Sequence, residues 1–170
     1  MAYENHAWQT GELISAESLN NINDALVRAS SGIMAQYTAA TQTISGTTEF
    51  LVYLNTARYK TGEGFEMTTN GVTCKLAGMV AVRARIFCAS DFTAGDQVLL
   101  VIGKNSDTVV CGSHKMQSTG KEHIVCETVL VPVEAGDVLK LKCHNVTSAA
   151  GVIGNSATKY ANSLTAHYLA

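Results

Sequence analysis

Two pairs of residues in the second half of the chain have the spacing of metal ligands. Cys111 and His114 are three positions apart, and so are His123 and Cys126. Thiolate and imidazole groups at such spacings are typical ligands of zinc. Both pairs fall in segments with strand character, however, and side chains three apart on a strand point to opposite faces. Unless a bulge or turn intervenes, neither pair converges on one ion. The sequence therefore favours buried cysteines and surface histidines, with no metal or cofactor.

Other catalytic signatures are missing from the sequence. It contains no Gly-x-Ser-x-Gly motif, and its glycine-containing segments 62–64 and 151–154 are not followed by a predicted helix, as a phosphate-binding loop requires. No spacing that predicts a pair of glycosidase carboxylates is found among Glu49, Glu63, Glu66 and Asp91. We therefore expect a protein that is not an enzyme.

The composition indicates one globular domain with a short appendage. Hydrophobic residues make up 46% of the 170 residues and charged residues only 15%. This balance excludes disorder and predicts that part of the surface is buried against other copies. A net charge of −2 provides no basic surface for nucleic acid or for a membrane. The five cysteines, an odd number with no CxxC pair, are predicted to be small reduced core residues.

Neither a signal peptide nor a transmembrane segment is predicted. Residues 3–6 open the chain with polar character, and no apolar run approaches the length needed to cross a bilayer. We expect synthesis in the cytoplasm without membrane insertion.

One short amphipathic helix is predicted near the N-terminus. Ser15 is the expected N-cap, and Glu17 lies in the first turn, where a negative charge suits the helix dipole. Residues 30–32 supply a stop signal. Between them an apolar residue recurs in alternating steps of three and four, which predicts a short heptad seam, at Leu19, Ile22, Leu26, Ala29 and Ile33.

From residue 49 onward the hydrophobic pattern has the period of two that is typical of strands. Nine strands are predicted, at residues 50–55, 65–69, 72–76, 79–89, 97–104, 108–115, 122–131, 138–144 and 163–169. Within 79–89 the alternation places Arg83 and Arg85 on the face opposite the apolar residues. These arginines line a ligand site or a threefold centre, or they lie on a solvated sheet face. Nine short strands indicate an antiparallel sandwich or barrel.

The N-terminal segment resembles the one found on many fibre and appendage proteins of tailed bacteriophages and prophages. The shared pattern is matched by Trp8, Gly11, Glu12, Ile14, Ala16, Glu17, Leu19, Asn20 and Ile22. The resemblance implies attachment to a virion, whereas the plainer alternative is a helix that packs on its own domain. The residues expected to anchor the chain and begin its assembly are apolar: Trp8, Leu13, Ile14, Leu19, Ile22 and Leu26.

The strand region resembles the jelly roll of C1q and tumour necrosis factor. Four segments match in order and spacing, at residues 71–82, 98–105, 129–141 and 162–169. Met79 and Leu164 stand where the family usually has aromatic residues. The resemblance implies a mostly β fold, an antiparallel jelly-roll sandwich preceded by a short N-terminal α-helix, and a homotrimer with its jelly rolls side by side.

Together these features predict an anchor and trimerisation helix at residues 1–33, a connector or first strand at 34–47 and a jelly-roll knob at 48–170. The expected function is that of a homotrimeric capsid (head) fibre or decoration protein, exposed on the surface of a bacteriophage virion and held to a capsid or tail protein by its N-terminal segment. The alternatives are a tail appendage that binds a host receptor, and a soluble C1q-like module that binds a ligand. A host cell-surface glycan or protein is the expected class of external partner.

Overall fold

The computed structural model describes residues 14–37, 41–44, 49–119, 121–147, 150–154 and 161–169, apart from the side chain of Cys111. Its one described helix, α1, spans Ala16–Ser30. As predicted, Ser15 is the N-cap, and its hydroxyl accepts a 3.0 Å hydrogen bond from the backbone N–H of Ser18. Glu17 lies in the first turn and Arg28 in the last, which suits both ends of the helix dipole. The helix ends at Ser30 because the backbone of Ser31 is extended.

Fourteen strands follow in the described part of the chain. In chain order they are β1 (Gly32–Gln36), β2 (Gln42–Ile44), β3 (Phe50–Leu51), β4 (Thr56–Thr61), β5 (Phe65–Thr68), β6 (Gly71–Cys74), β7 (Gly78–Ser90), β8 (Gln97–Lys104), β9 (Asp107–Lys115), β10 (Glu122–Val125), β11 (Val129–Val133), β12 (Val138–Asn145), β13 (Gly151–Ile153) and β14 (Ser163–Tyr168).

The strands form two antiparallel sheets. The eight-stranded sheet has the order β2-β13-β7-β14-β1-β4, and β10 and β11 also pair with β7. The six-stranded sheet has the order β5-β6-β12-β8-β9, with β3 paired to β12. Neighbouring strands are mostly distant in the chain, so the path crosses repeatedly between the sheets, as in a jelly roll. The fold class predicted from the sequence is therefore confirmed.

The hydrophobic core lies between the two sheets. Alternate residues of β7 point into it, at Val80, Val82, Ala84, Ile86 and Cys88, and they meet residues such as Leu100, Leu139 and Leu141 from the six-stranded sheet. The four cysteines whose side chains are described are free and buried, which confirms the prediction of reduced core residues. Burial raises the pKa of Cys74 and Cys88 to about 12, so these thiols stay protonated.

Residues 122–131, predicted as one strand, form two. The prediction was wrong because β10 pairs Val125 with Arg85 while β11 pairs Val129 with Val82. Three residues, 126–128, therefore lie opposite two residues of β7, as in a β-bulge. The extra residue changes which positions face the core: even-numbered Ile124 points inward before it, and odd-numbered Val131 after it.

Other strands were missed because they lack an alternating pattern. All six residues of β4 are exposed at the edge of the eight-stranded sheet. The segment at 34–47, predicted as a connector or first strand, contributes β2 and most of β1 to the same sheet. Strand β1 already begins at Gly32, within the range predicted for the helix. Ile33, predicted as the last position of the heptad seam, is fully buried in β1 and so belongs to the core. The predicted strand at 50–55 is shortened to β3, and β13 was not predicted.

Tyr168 ties the last strand to the opposite sheet. Its ring stacks on Phe65 with 4.6 Å between ring centroids. Its hydroxyl donates to the carbonyl of Leu76 at 2.7 Å and accepts from the N–H of Leu76 at 3.2 Å. This buried hydroxyl therefore serves both polar groups of one residue in the connection that leads to β7.

We expect Tyr168→Phe to lower the free energy of unfolding by about 1–3 kcal/mol, because the ring still stacks while two partly buried backbone groups of Leu76 lose their partner. Denaturant titration at one protein concentration measures the change. Tyr59→Phe is the matched control, since that hydroxyl contacts only the Thr61 side chain, at 3.3 Å, on the exposed edge strand. Equal effects of the two substitutions would contradict the role assigned to Tyr168.

Candidate functional site

Helix α1 presents an apolar surface that its own domain does not cover. No residue of the helix is buried. Ile14, Leu19 and Leu26 are 46%, 51% and 65% exposed, and Ile22 is half-buried. These four residues are called the helix seam below. Trp8 and Leu13, the other two predicted anchor residues, lie outside the described residues. The seam is therefore free to meet another molecule or another copy.

Polar contacts hold the C-terminal end of α1 on the sandwich. The Ser31 hydroxyl accepts from the N–H of Gly64 at 2.9 Å, and the Ser31 carbonyl accepts from the N–H of Tyr168 at 3.3 Å. The Arg28 guanidinium donates to the carbonyl of Ala77 at 3.4 Å. A side chain at Gly64 would collide with Ser31 and Tyr168, because an added Cβ would lie 2.8 Å from atoms of both. The helix is therefore seated at its last turn, with its seam uncovered.

A second uncovered surface is the face of the eight-stranded sheet that points away from the core, called the outer face below. As the alternation predicts, Arg83 and Arg85 lie on this face, opposite Thr165 and Ser163 of β14. Large apolar side chains are exposed on it as well: Tyr59, Met79, Val125 and Leu130. The outer face thus combines apolar and basic groups.

The two cysteine and histidine pairs are separated by the fold. Cys111 and His114 lie on β9 in the six-stranded sheet, whereas His123 lies on β10 in the other sheet. The His114 ring bonds to the Glu122 carboxylate at 2.9 Å, and the His123 ring packs on Phe87 with 4.8 Å between centroids. Among the described residues, no group of three or more histidine, cysteine or acidic side chains is arranged to hold a metal.

Glu122 organises the loop between β9 and β10, a role the sequence pattern did not indicate. Besides its bond to His114, its carboxylate accepts from the N–H groups of Gln117 at 2.8 Å and Ser118 at 2.6 Å. The bond to His114, followed by those from the loop, lowers the pKa of Glu122 to about 2. The one signal in the sequence is that acidic Glu122 begins the predicted strand that follows the one containing His114.

Comparison with solved structures identifies the architecture. The chain superposes on murine APRIL at pH 5.0 with a TM-score of 0.61 and 12% identity, covering 82% of this chain and 99% of that one. It superposes on Eiger TNF from S. frugiperda with a TM-score of 0.57 and 13% identity, covering 82% and 92%. The chain has a TNF-like jelly-roll fold. At these identities the likeness shows the fold alone.

A third similar structure is the PRD1 vertex protein P5. It superposes on the present chain with a TM-score of 0.60 and 18% identity, over 83% of this chain and 98% of that one. No protein-family model and no curated protein sequence matches the chain. No helix in the described ranges is long and apolar enough to span a bilayer.

The Glu122 network predicts a specific acid sensitivity. Because its pKa is about 2 in the folded protein against an ordinary 4.5, Glu122 stabilises the fold fully above pH 4.5 and loses this effect as the pH falls towards 2. Glu122→Gln should be less stable than the original protein at neutral pH, and its stability should fall less between pH 4.5 and pH 2. Urea titrations across this range measure both effects.

Glu66→Gln is the matched control, because it converts a carboxylate to an amide at an exposed site 3.6 Å from Lys75. It should keep the pH profile of the original protein. A Glu122→Gln protein that loses stability with acid as steeply as the original would contradict the assignment.

Proposed function

We propose that this chain is a non-enzymatic structural protein of a phage particle, which assembles as a homotrimer and is held to the particle by its N-terminal segment. The jelly-roll sandwiches stand side by side as an exposed knob, and the helix seam contacts capsid or tail protein. Within this class we propose a capsid fibre or decoration protein on the head of the particle.

The observation that carries this proposal is the exposure of the helix seam beside a closed sandwich. The core between the sheets is complete without α1, so the domain does not need the helix to bury its apolar residues. Leu19 and Leu26 are more than half exposed on this capped helix. Exposure of apolar surface to water costs roughly 25 cal/mol per Å². Contact with another molecule removes that cost. Two heptads make a short seam, so the sandwiches supply most of the association between copies.

Two further observations support the proposal. The surface carries few charges, since only 15% of the residues are charged, while the outer face exposes Met79, Val125 and Leu130 together. Exposed apolar patches of this kind mark contact surfaces. The same fold occurs in a vertex protein of the phage PRD1, which supports a place on a virion for the present chain.

The junction between helix and sandwich favours the capsid surface over the tail. Helix α1 ends at Ser30 and β1 begins at Gly32, so only Ser31 separates them. A helix of 15 residues adds about 22 Å, and no flexible spacer extends this reach within the described junction. A knob held so close to its anchor suits decoration of a surface. A tail appendage that binds a receptor is the second candidate. The observation that favours it is the combination of arginines and exposed apolar side chains on the outer face.

Sedimentation tests the assembly. At micromolar concentration the full chain should sediment at three times the mass of one 18.0 kDa chain, because packing of the sandwiches side by side covers exposed apolar side chains of the outer face. A stable single-chain species at that concentration would refute the homotrimer.

Charge placed on the helix seam tests attachment. Leu19→Glu with Leu26→Glu should deplete the protein from purified particles at least tenfold, as measured by quantitative mass spectrometry of virions carrying the altered gene. Asn20→Glu with Asn21→Glu adds the same charge at exposed positions of the same helix outside the seam and should leave incorporation unchanged. Sedimentation of both variants shows whether the sandwiches still associate. Full incorporation of the seam variant would refute anchoring by the seam.

A further inference from the structure

A cavity of about 290 Å³ opens on the outer face of the eight-stranded sheet. It lies between β7, β14, β1 and β10. Its lining combines two guanidinium groups, two hydroxyls and two apolar side chains, from Arg83, Arg85, Ser163, Thr165, Met34 and Val125.

The strand register sets these groups beside one another. Arg83 lies directly opposite Thr165, and Arg85 directly opposite Ser163, across the antiparallel pair of β7 and β14. Side chains opposite each other in such a pair stand about 5 Å apart at their Cβ atoms and share a face. Each arginine therefore has a hydroxyl-bearing residue directly opposite it on the neighbouring strand. The site is built by regular strands and not by a loop.

Apolar side chains close two sides of the cavity. Met34 of β1 lies opposite Thr165, and Val125 of β10 lies opposite Arg85. These two side chains give the cavity apolar edges beside its guanidinium groups.

The arginines of this sheet form no ion pair with a described carboxylate. Three of the chain's four arginines, Arg58, Arg83 and Arg85, lie on the eight-stranded sheet. Among the described residues no carboxylate forms an ion pair with any of them. Burial, followed by the charges of Arg58 and Arg83, lowers the pKa of Arg85. Within the described residues, the charges of these arginines are therefore left without a counter-ion.

The hydrogen-bonding capacity of Arg85 is also only partly used. One terminal nitrogen, Nη2, donates to the carbonyl of Ala161 at 3.3 Å. The Nε atom is buried without a partner among the described residues. A buried donor attached to a charged group is costly to leave unpaired. The bond to Ala161 fixes one end of the guanidinium beside the cavity.

We infer that this cavity is a binding site for one oxyanion, a phosphate or carboxylate group carried by a small ligand. Guanidinium groups bind such oxygens through paired hydrogen bonds, and the Ser163 and Thr165 hydroxyls are further donors. The cavity is larger than the anionic group alone, so it has room for an attached group about the size of a monosaccharide. The site does not depend on the chain's place in a phage particle.

Titration of the full-length protein tests the site. Inorganic phosphate, glucuronate and neutral glucose are added separately at constant ionic strength, with sodium chloride as the balancing salt, and binding is followed by calorimetry. We expect saturable binding of phosphate or glucuronate and none of glucose. The stronger of the two anions identifies the source of the oxyanion.

Substitutions in the cavity locate the binding. Arg83→Gln with Arg85→Gln should weaken binding about tenfold or more, because charge-assisted hydrogen bonds to the oxyanion are lost. Lys75→Gln with Lys115→Gln removes the same charge from exposed positions outside the cavity and should leave binding unchanged. Ser163→Ala with Thr165→Val keeps every charge and should weaken binding several-fold, which covers the case in which the arginine variant fails to fold.

Two results would overturn the inference. One is equal binding by the original protein, the arginine variant and the lysine variant. The other is no saturable binding of either anion to the original protein. If the arginine variant then also dissociates in sedimentation, the cavity holds a carboxylate of a second copy. Sedimentation of the original protein as a single chain refutes the proposed homotrimer and leaves the calorimetric result to be judged separately.

Discussion

The alternation of side chains along β7 is the constraint on which the rest of the structure depends. This strand of 13 residues pairs with four others: β10, β11, β13 and β14. Its even-numbered residues fill the core, so its odd-numbered residues must face outward. A slip of one residue would bury Arg83 and Arg85 and expose five core side chains. The hydrophobic core and the basic outer face therefore have one cause, which is the register of a single strand.

Local chemistry explains which parts of the fold could be predicted from the sequence. The helix was predictable because Ser15, Glu17 and the stop at residues 30–32 act within one or two turns. The turns at Gly95 and Gly136 were predictable for a similar reason, since both glycines have positive φ and each is followed by an aspartate that binds back to the turn. Strands with clean alternation were found to within a few residues at each end.

Non-local geometry accounts for what the sequence did not reveal. The extra residue opposite β7 follows from the positions of two separate pairings, Val125 with Arg85 and Val129 with Val82, and no local pattern marks it. The cavity depends on Arg83 meeting Thr165, which is 82 positions away in the chain. Sequence alternation placed the arginines on the correct face but left open whether that face was solvated or bound a ligand. Of the predicted heptad seam, Leu19 and Leu26 are exposed on the helix, whereas Ile33 lies in the core because β1 begins one residue after Ser31.

The basic outer face also limits how copies of this chain can pack. A second copy laid over this surface would remove the exposed parts of Arg83 and Arg85 from water, and burying an uncompensated charge costs several kcal/mol per ion. Since no carboxylate of the described chain pairs with them, the apolar contribution of Met79, Val125 and Leu130 would have to offset that cost. An oxyanion in the cavity lowers this cost, because its negative charge offsets positive charge of the two arginines. Association through this face and anion binding are in that case coupled, so an anion that binds the assembled form more tightly than the single chain stabilises the assembly.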